Sequence, residues 1–225
     1  MQVLDPIKRQ KTLTEQAADA IRARIVEGQF EFGEALSEIT LATELGVSKT
    51  PVREAFLQLK NEGLVDILPQ RGTFVFRMTI EELRQLFEMR EILECNSLRF
   101  ALRDHPDALS AALNRIVEDM IKATDERDAK RFRRLDADFH GELIKQSRNS
   151  FIGSAYNVIA LRVHAFRNRL PIGAQSWDTI DMHAEVAKQV AARDAEAAVE
   201  QLQTHLQKSF SDYVRRTASD QANVA

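Results

Sequence analysis

The sequence predicts a mainly α-helical protein of two domains: a small N-terminal unit of helices closed by a β-hairpin, then a longer all-α helical bundle. Three observations indicate this. Apolar residues recur at the three- and four-residue spacing of amphipathic helices along most of the chain. The only strand-like runs fall at residues 64–68 and 73–76. Five of the eight glycines lie before residue 73. We therefore assign residues 1–78 to the first domain and residues 79–225 to the second.

Composition indicates a soluble protein with room for a sizeable core. Of the 225 residues, 44% are hydrophobic and 29% are charged. The single cysteine, Cys95, leaves no pair for an intrachain disulfide and no thiolate cluster for zinc, as is typical of a reducing cytoplasm. No leader pattern begins the chain, and no apolar run approaches the ~18 to 20 residues that span a bilayer. We expect a cytoplasmic protein with no membrane partner.

The N-terminal domain contains two helices joined by a tight turn. Gly46 follows the first helix, where a helix stop belongs. Ser48 or Thr50 can cap the second helix, and Lys49 and Arg53 share its outer side. The apolar residues of this second helix share the opposite face at Val52, Ala55, Phe56 and Leu59. A helix held by its apolar face, with a hydroxyl and two cations on its first turns, can enter a DNA major groove.

A short hairpin follows these helices. Its two strand-like runs are joined by a turn, residues 69–72, in which Gly72 can adopt a positive φ and Arg71 lies at the tip. A basic hairpin tip beside a groove-sized helix is typical of a winged helix-turn-helix. The alternative is a small helical subdomain whose charges are merely solvated.

Positive charge in this domain is local. The whole chain has a net charge of −3, and residues 1–78 hold 10 Lys and Arg against 11 Asp and Glu. Such a protein should bind random DNA weakly and depend on a defined site and a paired subunit.

Four motifs of this unit occur together: Leu36-Ser37-Glu38, Leu45-Gly46-Val47-Ser48-Lys49-Thr50-Pro51-Val52-Arg53-Glu54-Ala55, Glu62-Gly63-Leu64-Val65 and Arg71-Gly72. They resemble the winged helix-turn-helix of the GntR family of bacterial transcription regulators. By this resemblance, Lys49, Thr50, Arg53 and the wing residue Gly72 fall where the family contacts operator DNA. Arg71 joins them as the basic residue of the wing tip.

The sequence of the second domain predicts helices throughout. Thr79-Ile80-Glu81-Glu82 is a capping box that begins a long helix ending near residue 103. Pro106 separates it from the next helix. Further helices are predicted at about residues 107–124, 129–146, 151–168, 177–192 and 195–214. No strand pattern interrupts them, so a helical bundle is the simplest architecture.

Three helices of this bundle carry polar groups on their apolar stripes. Asp136 and His140 are four residues apart, so they lie on one inward face. His183 and His205 lie on the stripes of the last two helices, eleven positions before and eleven after Asp194 in the turn between them. An antiparallel hairpin would therefore place both imidazoles at the same height.

These four residues predict a metal site. A single histidine on an apolar stripe is usually a satisfied core residue, but three histidines and an aspartate are hard to bury without partners. A divalent metal held by Asp136, His140, His183 and His205 would satisfy all four. Imidazole-rich ligation suits zinc, our first choice, and nickel, iron or manganese are alternatives.

The motifs around these four residues extend the resemblance to the second domain. Leu135-Asp136-Ala137-Asp138-Phe139-His140, His183 and Thr204-His205-Leu206 look like the metal-binding pattern of the all-helical FCD ligand-binding domain in FadR-like GntR regulators. The likeness then covers about residues 12–214. It implies a homodimer that senses a small carboxylate effector through the metal.

Two arginines are candidates for binding that effector. Arg90 lies on the inward stripe of the first bundle helix, and a buried arginine requires an anion. That anion can be Glu94, four residues on, or an effector carboxylate bridging Arg90 and the metal. Arg162 is a second candidate, on a stripe predicted to run through Phe151, Ala155, Val158, Ile159 and Phe166.

These features favour a DNA-binding transcription regulator, not an enzyme, whose operator affinity is controlled by a small organic acid. A metal-sensing repressor would use the same residues. A metallohydrolase is a third alternative, since three imidazoles and a carboxylate can activate water. It is disfavoured because no further residue has an evident place as general base.

Overall fold

The structure, a computed structural model, describes residues 10–169 and 179–222, with residues 216–222 described by their backbone alone. The chain divides into two compact units, Met1–Arg77 and Met78–Ala225. The first unit combines helices with a small sheet, and the described part of the second contains helices only. The mainly α fold class predicted from the sequence is confirmed.

Three helices frame the first unit: α1 (Leu13–Val26), α2 (Glu38–Leu45) and α3 (Lys49–Asn61). Thr12 and Glu15 form a capping box at the start of α1. Gly46 ends α2 in the left-handed conformation at φ +66°, as predicted for a helix stop. Helix α1 packs against α3. The buried apolar residues of the two helices are Ala17, Ala18, Ile21, Ile25, Val52, Ala55, Phe56 and Leu59.

A three-stranded antiparallel sheet closes this unit. Its strands are β1 (Ala35–Leu36), β2 (Val65–Leu68) and β3 (Gly72–Val75), with β3 in the middle. The β2–β3 hairpin is the predicted wing. Strand β1 was not predicted, because two residues are too few to show the alternation that identifies a strand.

Six helices form the described part of the second unit: α4 (Ile80–Asp104), α5 (Pro106–Asp125), α6 (Ala129–Gln146), α7 (Ser150–Arg169), α8 (Thr179–Ala191) and α9 (Ala195–Ala222). Thr79 and Glu82 form the predicted capping box of α4. The predicted helix start at residue 177 lies outside the described residues, and α9 continues past its predicted end at residue 214. None of the described helices has the length and apolar composition of a membrane span.

One apolar core lies between α4, α5, α6, α8 and α9. Helix α6 packs against α4 and α5, while α8 and α9 pack against each other as a hairpin. The predicted inward stripe of α6 is buried as expected, including Phe132, Phe139 and Leu143. The bundle therefore turns the polar groups on these stripes inward.

The predicted inward stripe of α7 is wrong at Phe151 and Val158, while its members Ile159 and Phe166 are buried as predicted. Phe151 is 86% exposed and Val158 is 62% exposed. The residues of α7 that are buried are Tyr156, Ile159, Val163, Ala165, Phe166 and Arg167. Apolar residues are spread around this helix, so their spacing does not select one face. The arginine that α7 buries is Arg167, and Arg162 is only half-buried.

Candidate functional site

The first turns of α3 present polar and basic side chains. Lys49, Thr50 and Arg53 are exposed there, while the opposite face of the helix is buried. On the wing, Arg71 and Gly72 are also exposed, and Gly72 has a φ of +113° that favours glycine. The structure thus leaves all five predicted DNA-contacting residues accessible, on a helix and a hairpin tip of one unit.

Arg53 is paired with a residue that sequence reasoning did not select. Its Nε donates to Glu38 Oε1 at 3.1 Å, and its Nη2 donates to Glu38 Oε2 at 2.8 Å. The pair lowers the pKa of Glu38 and raises that of Arg53. The Nη1 amine of Arg53 lies outside this pair. Glu38 is the first residue of α2, fifteen positions away, so no local pattern indicates the contact.

The second unit brings Asp136, His140, His183 and His205 together. Each residue offers one ligand atom, and these four atoms lie within 4.8 Å of one another. All four residues are buried. The rings of His183 and His205 are 4.3 Å apart between centroids, which confirms that the α8–α9 hairpin places them at the same height. Three helices, α6, α8 and α9, therefore build this cluster.

The atoms of the four residues that lie closest to one another are ring nitrogens and a carboxylate oxygen, which are atoms that can bind a metal. His183 Nε2 lies 3.0 Å from Asp136 Oδ1, and His140 Nε2 lies 3.2 Å from His205 Nε2. His140 Nε2 is 3.9 Å from the same aspartate oxygen. Three imidazole nitrogens and one carboxylate oxygen thus face a single point, as in a tetrahedral or more open metal site.

Hydrogen bonds on the far side of two rings identify their tautomers. His140 Nδ1 donates to Glu94 Oε2 at 2.7 Å, since an ionised carboxylate can only accept. His183 Nδ1 donates to the carbonyl oxygen of Thr179 at 2.7 Å. In the neutral form, both Nε2 atoms therefore carry a lone pair. The lone pair of His140 Nε2 faces His205 Nε2 at 3.2 Å, and that of His183 Nε2 faces Asp136 Oδ1 at 3.0 Å. A cation bound between these atoms would satisfy both lone pairs.

The electrostatics suit metal ligation. Burial lowers the pKa of His140 to about 4, against the opposing influence of Glu94. Burial, reinforced by His183 and His140, holds the pKa of His205 well below its usual range. Burial alone would raise the pKa of Asp136, but Arg167 and His183 outweigh it and hold that pKa well below the usual value. Near neutral pH His140 and His205 are therefore neutral imidazoles and Asp136 is an ionised carboxylate, the forms that bind metals.

Two further buried groups support the cluster. Glu94 accepts hydrogen bonds from Arg90 Nε at 2.6 Å and Tyr156 Oη at 3.1 Å, besides that from His140. Burial opposes its ionisation, but Arg90 and His140 lower the pKa of Glu94 to about 2. Arg167 forms an ion pair with Asp136. The sequence predicted Glu94 only as a partner of Arg90, and it gave no signal for Arg167.

The two predicted effector-binding arginines have different positions. Arg90 is 1% exposed and faces inward, as its stripe predicts, with Glu94 as its ion-pair partner. Arg162 is only half-buried on α7. It therefore does not occupy the buried place expected from the α7 stripe, and Arg167 reaches the cluster from that helix.

Comparisons with known proteins identify both units. Residues 13–75 match the model described as bacterial regulatory proteins, gntR family, and residues 85–208 match the FCD domain. An HTH-type transcriptional regulator of Streptomyces ambofaciens is 30% identical over 204 residues, which are 87% of this chain and 82% of that protein. This chain belongs to the GntR family. It is a DNA-binding transcriptional regulator with an FCD domain.

A further curated relative and two solved structures are also similar to this GntR regulator. The gluconate operon transcriptional repressor of Bacillus licheniformis is 28% identical over 193 residues, covering 83% of this chain and 79% of that one. A GntR regulator from Rhodococcus sp. RHA1 shares the fold, with a TM-score of 0.77 at 23% identity over 89% of this chain and 97% of its own. E. coli McbR/YncC has a TM-score of 0.78 at 20% identity, covering 92% and 100%. The curated relatives are named as transcriptional regulators or repressors, as expected for a protein that is not an enzyme.

Proposed function

We propose that this GntR regulator binds operator DNA as a homodimer in the cytoplasm, and that a small carboxylate effector bound at a metal in its FCD domain controls operator affinity. The observation that supports this most is the convergence of three imidazole nitrogens and a carboxylate oxygen in a buried site. A buried polar cluster of this kind is costly unless a ligand satisfies it. In a transcriptional regulator, such a ligand is suited to a regulatory role.

The metal would be held by Asp136, His140, His183 and His205. Zinc is favoured by three imidazoles and one carboxylate, and nickel, iron or manganese are alternatives. The fit is supported by His183 Nε2, which faces Asp136 Oδ1 at 3.0 Å while the ring proton on Nδ1 is donated to Thr179. Two acceptor atoms therefore face each other, and a cation between them would satisfy both. When bound, the metal supplies a Lewis-acidic position for an oxygen of an external ligand. Glu94 and the Thr179 carbonyl hold the ligating rings in orientation.

Arg90 and Arg162 remain our proposed effector-binding residues, with Arg90 first. The Nη2 amine of Arg90 is buried and has no hydrogen-bond partner among the residues described, although its Nε is paired with Glu94. An effector carboxylate can accept from that amine. Arg90 lies on α4, which begins shortly after the DNA-reading unit ends at Arg77. A shift of α4 upon binding would therefore reach that unit through a very short connection.

On DNA, we propose that Lys49, Thr50 and Arg53 enter the major groove and that Arg71 and Gly72 contact DNA through the wing. Glu38 would orient Arg53, because two hydrogen bonds to one carboxylate restrict the guanidinium plane. The bidentate pair costs some nonspecific affinity by placing a negative charge near phosphates.

Dimerisation through α4 and α7 is supported by exposed apolar side chains. These helices pack against each other, and Met89, Ile92, Phe151 and Val158 are all exposed on them. An exposed phenylalanine and isoleucine on neighbouring helices are typical of a surface that another subunit covers.

Replacing Ile92 with glutamate should therefore give a folded monomer, because Ile92 is 62% exposed within one chain. Light scattering after size exclusion should show half the mass of the wild-type protein. Ile121→Glu is the control, since Ile121 is an exposed residue of α5 and not of the proposed interface. An Ile92→Glu protein that stays dimeric would place the interface elsewhere.

A thermal-shift screen tests the effector proposal. Metal-loaded protein and chelator-treated protein should be compared with sugar acids, hydroxy acids, amino acids and dicarboxylates. We expect at least one acid to raise the Tm of the metal-loaded form by roughly 2 to 4 °C per kcal/mol of binding stabilisation, and to leave the stripped form unchanged. If no acid shifts the Tm, and the metal alone alters operator affinity, the protein is the metal-sensing repressor instead.

A further inference from the structure

Helix α2 carries one large apolar side chain on its exposed side. Ile39, the second residue of the helix, is 61% exposed. The other exposed residues of α2 are polar: Thr40, Thr43 and Glu44. The buried face of the helix is formed by Leu41 and Ala42. The core of the DNA-reading unit therefore does not use the Ile39 side chain, which is left available to a partner.

The pair between Glu38 and Arg53 places this side chain beside the helix proposed to read DNA. Glu38 directly precedes Ile39, and its carboxylate accepts hydrogen bonds of 3.1 and 2.8 Å from the guanidinium of Arg53 on α3. The first turn of α2 therefore lies next to the first turns of α3, where Lys49 and Thr50 are also exposed. Ile39 thus borders the surface that we propose enters the major groove.

The other exposed large apolar side chain of these two helices is less well placed. Leu57 is 54% exposed on α3, but it comes eight residues after Lys49. That spacing puts it about 12 Å further along the helix axis. Recognition helices contact base edges mainly through their N-terminal residues. Ile39 is therefore the stronger candidate for contact with a base.

The chemistry around Ile39 favours an apolar target. An isoleucine side chain has no donor for a phosphate, and the neighbouring carboxylate of Glu38 repels one. Thr43, four residues later on the same side of α2, donates its hydroxyl to the carbonyl oxygen of Ile39 at 2.9 Å, so that donor is already used. Base edges in the major groove present hydrogen-bonding atoms and one apolar group, the 5-methyl group of thymine.

We propose that Ile39 is a specificity-determining residue that packs against the 5-methyl group of a thymine in each half of the operator. The inference rests on the proposed docking of α3 in the major groove by a homodimer, and it adds one residue and one base to that docking. Arg53 supplies donors to polar groups of the DNA. Ile39 adds an apolar contact that distinguishes thymine from bases without the methyl group.

Removing single methyl groups from the DNA tests this on the full-length protein. Each thymine position of an operator selected from random-sequence DNA is replaced, in both half-sites at once, by deoxyuridine, which pairs in the same way but lacks the 5-methyl group. Fluorescence anisotropy at one fixed salt concentration compares the wild type with Ile39→Ala. At one position, we expect the replacement to weaken wild-type binding about fourfold for each half-site, the factor that burial of one methyl group provides. Binding by Ile39→Ala should not change at that position.

Two further variants serve as comparisons. Ile121→Ala removes an isoleucine that is 46% exposed on α5 in the second unit, and it should keep the wild-type response at every position. Leu57→Ala examines the competing apolar residue. If Leu57→Ala abolishes the response and Ile39→Ala does not, Leu57 reads the methyl group and the proposal is wrong. Ile39→Ala should keep the wild-type Tm, because the side chain is exposed and alanine favours a helix.

Arg53→Ala separates this inference from the docking on which it rests. If Arg53→Ala weakens operator binding, but every deoxyuridine replacement affects the wild type and Ile39→Ala by the same factor, the thymine contact is wrong and the docking of α3 stands. If Arg53→Ala binds the operator as tightly as the wild type, the docking of α3 is wrong, and the Ile39 contact is overturned with it.

Discussion

Replacing Arg53 with alanine is expected to weaken specific operator binding by roughly 1 to 3 kcal/mol at each half-site. The loss has two sources. The variant removes a guanidinium that can reach a base edge or a phosphate. It also frees the carboxylate of Glu38, which Arg53 neutralises in the wild-type protein, to repel the DNA. Fluorescence anisotropy with an operator selected from random-sequence DNA, at one fixed salt concentration, measures the effect.

Two further variants separate the loss of the guanidinium contact from the repulsion by Glu38. Arg24→Ala is the matched control, because Arg24 is a partly exposed arginine of the same unit paired with Glu44 and lies on α1. It should change operator affinity little. Adding Glu38→Gln to Arg53→Ala should recover the repulsive part of the loss and no more. If Arg53→Ala binds the operator as tightly as the wild type, α3 is not the recognition helix.

Replacing His183 with alanine should remove tight metal binding and the thermal stabilisation that depends on it. A metal held at about a thousand times its Kd stabilises a protein by about 4 kcal/mol. His183 is chosen because Asp136 keeps its Arg167 partner when the imidazole is lost, so no buried charge is left unpaired. The measured quantity is the Tm difference between zinc-loaded and chelator-treated protein, together with elemental analysis of untagged protein. Each variant is compared with its own metal-stripped form. Both forms contain the cavity left by the missing imidazole, so its destabilising effect does not enter the Tm difference.

His164→Ala serves as the control for that variant. His164 is a half-buried histidine of α7 near the cluster but outside the four ligands. It should keep both its metal and the metal-dependent rise in Tm. A His183→Ala protein that retains a full equivalent of zinc and the full rise would contradict the proposed ligand set.

Much of the candidate site could be predicted because helical periodicity determines it. Asp136 and His140 share a face since they are four residues apart, and His183 and His205 meet because equal spacing from a tight turn aligns them in a hairpin. The apolar neighbours on each stripe are regular enough to show which side faces inward. Local chain geometry alone therefore brings most of these ligands into reach of one another.

The remaining features depend on contacts that periodicity cannot show. Glu38 and Arg53 lie on different helices, and only the turn between those helices brings them together. Arg167 was missed because apolar residues on α7 point in several directions, so the pattern did not distinguish its buried face from that of Arg162. Glu94 was recognised as a neighbour of Arg90, but its hydrogen bond to His140 joins residues 46 positions apart. These contacts join residues of different helices, so no pattern within a single helix predicts them.

The most direct measurement of the central claim is operator affinity titrated with the acid that binds best. Metal-loaded and metal-stripped wild-type protein should be compared on the same selected operator. We expect the acid to change the affinity of the metal-loaded protein by about 5- to 150-fold, the range of a coupling of about 1 to 3 kcal/mol, and to leave the stripped protein unaffected. An equal response after the metal is removed, or no response to an acid that calorimetry shows to be bound, would contradict control of DNA binding through the metal site.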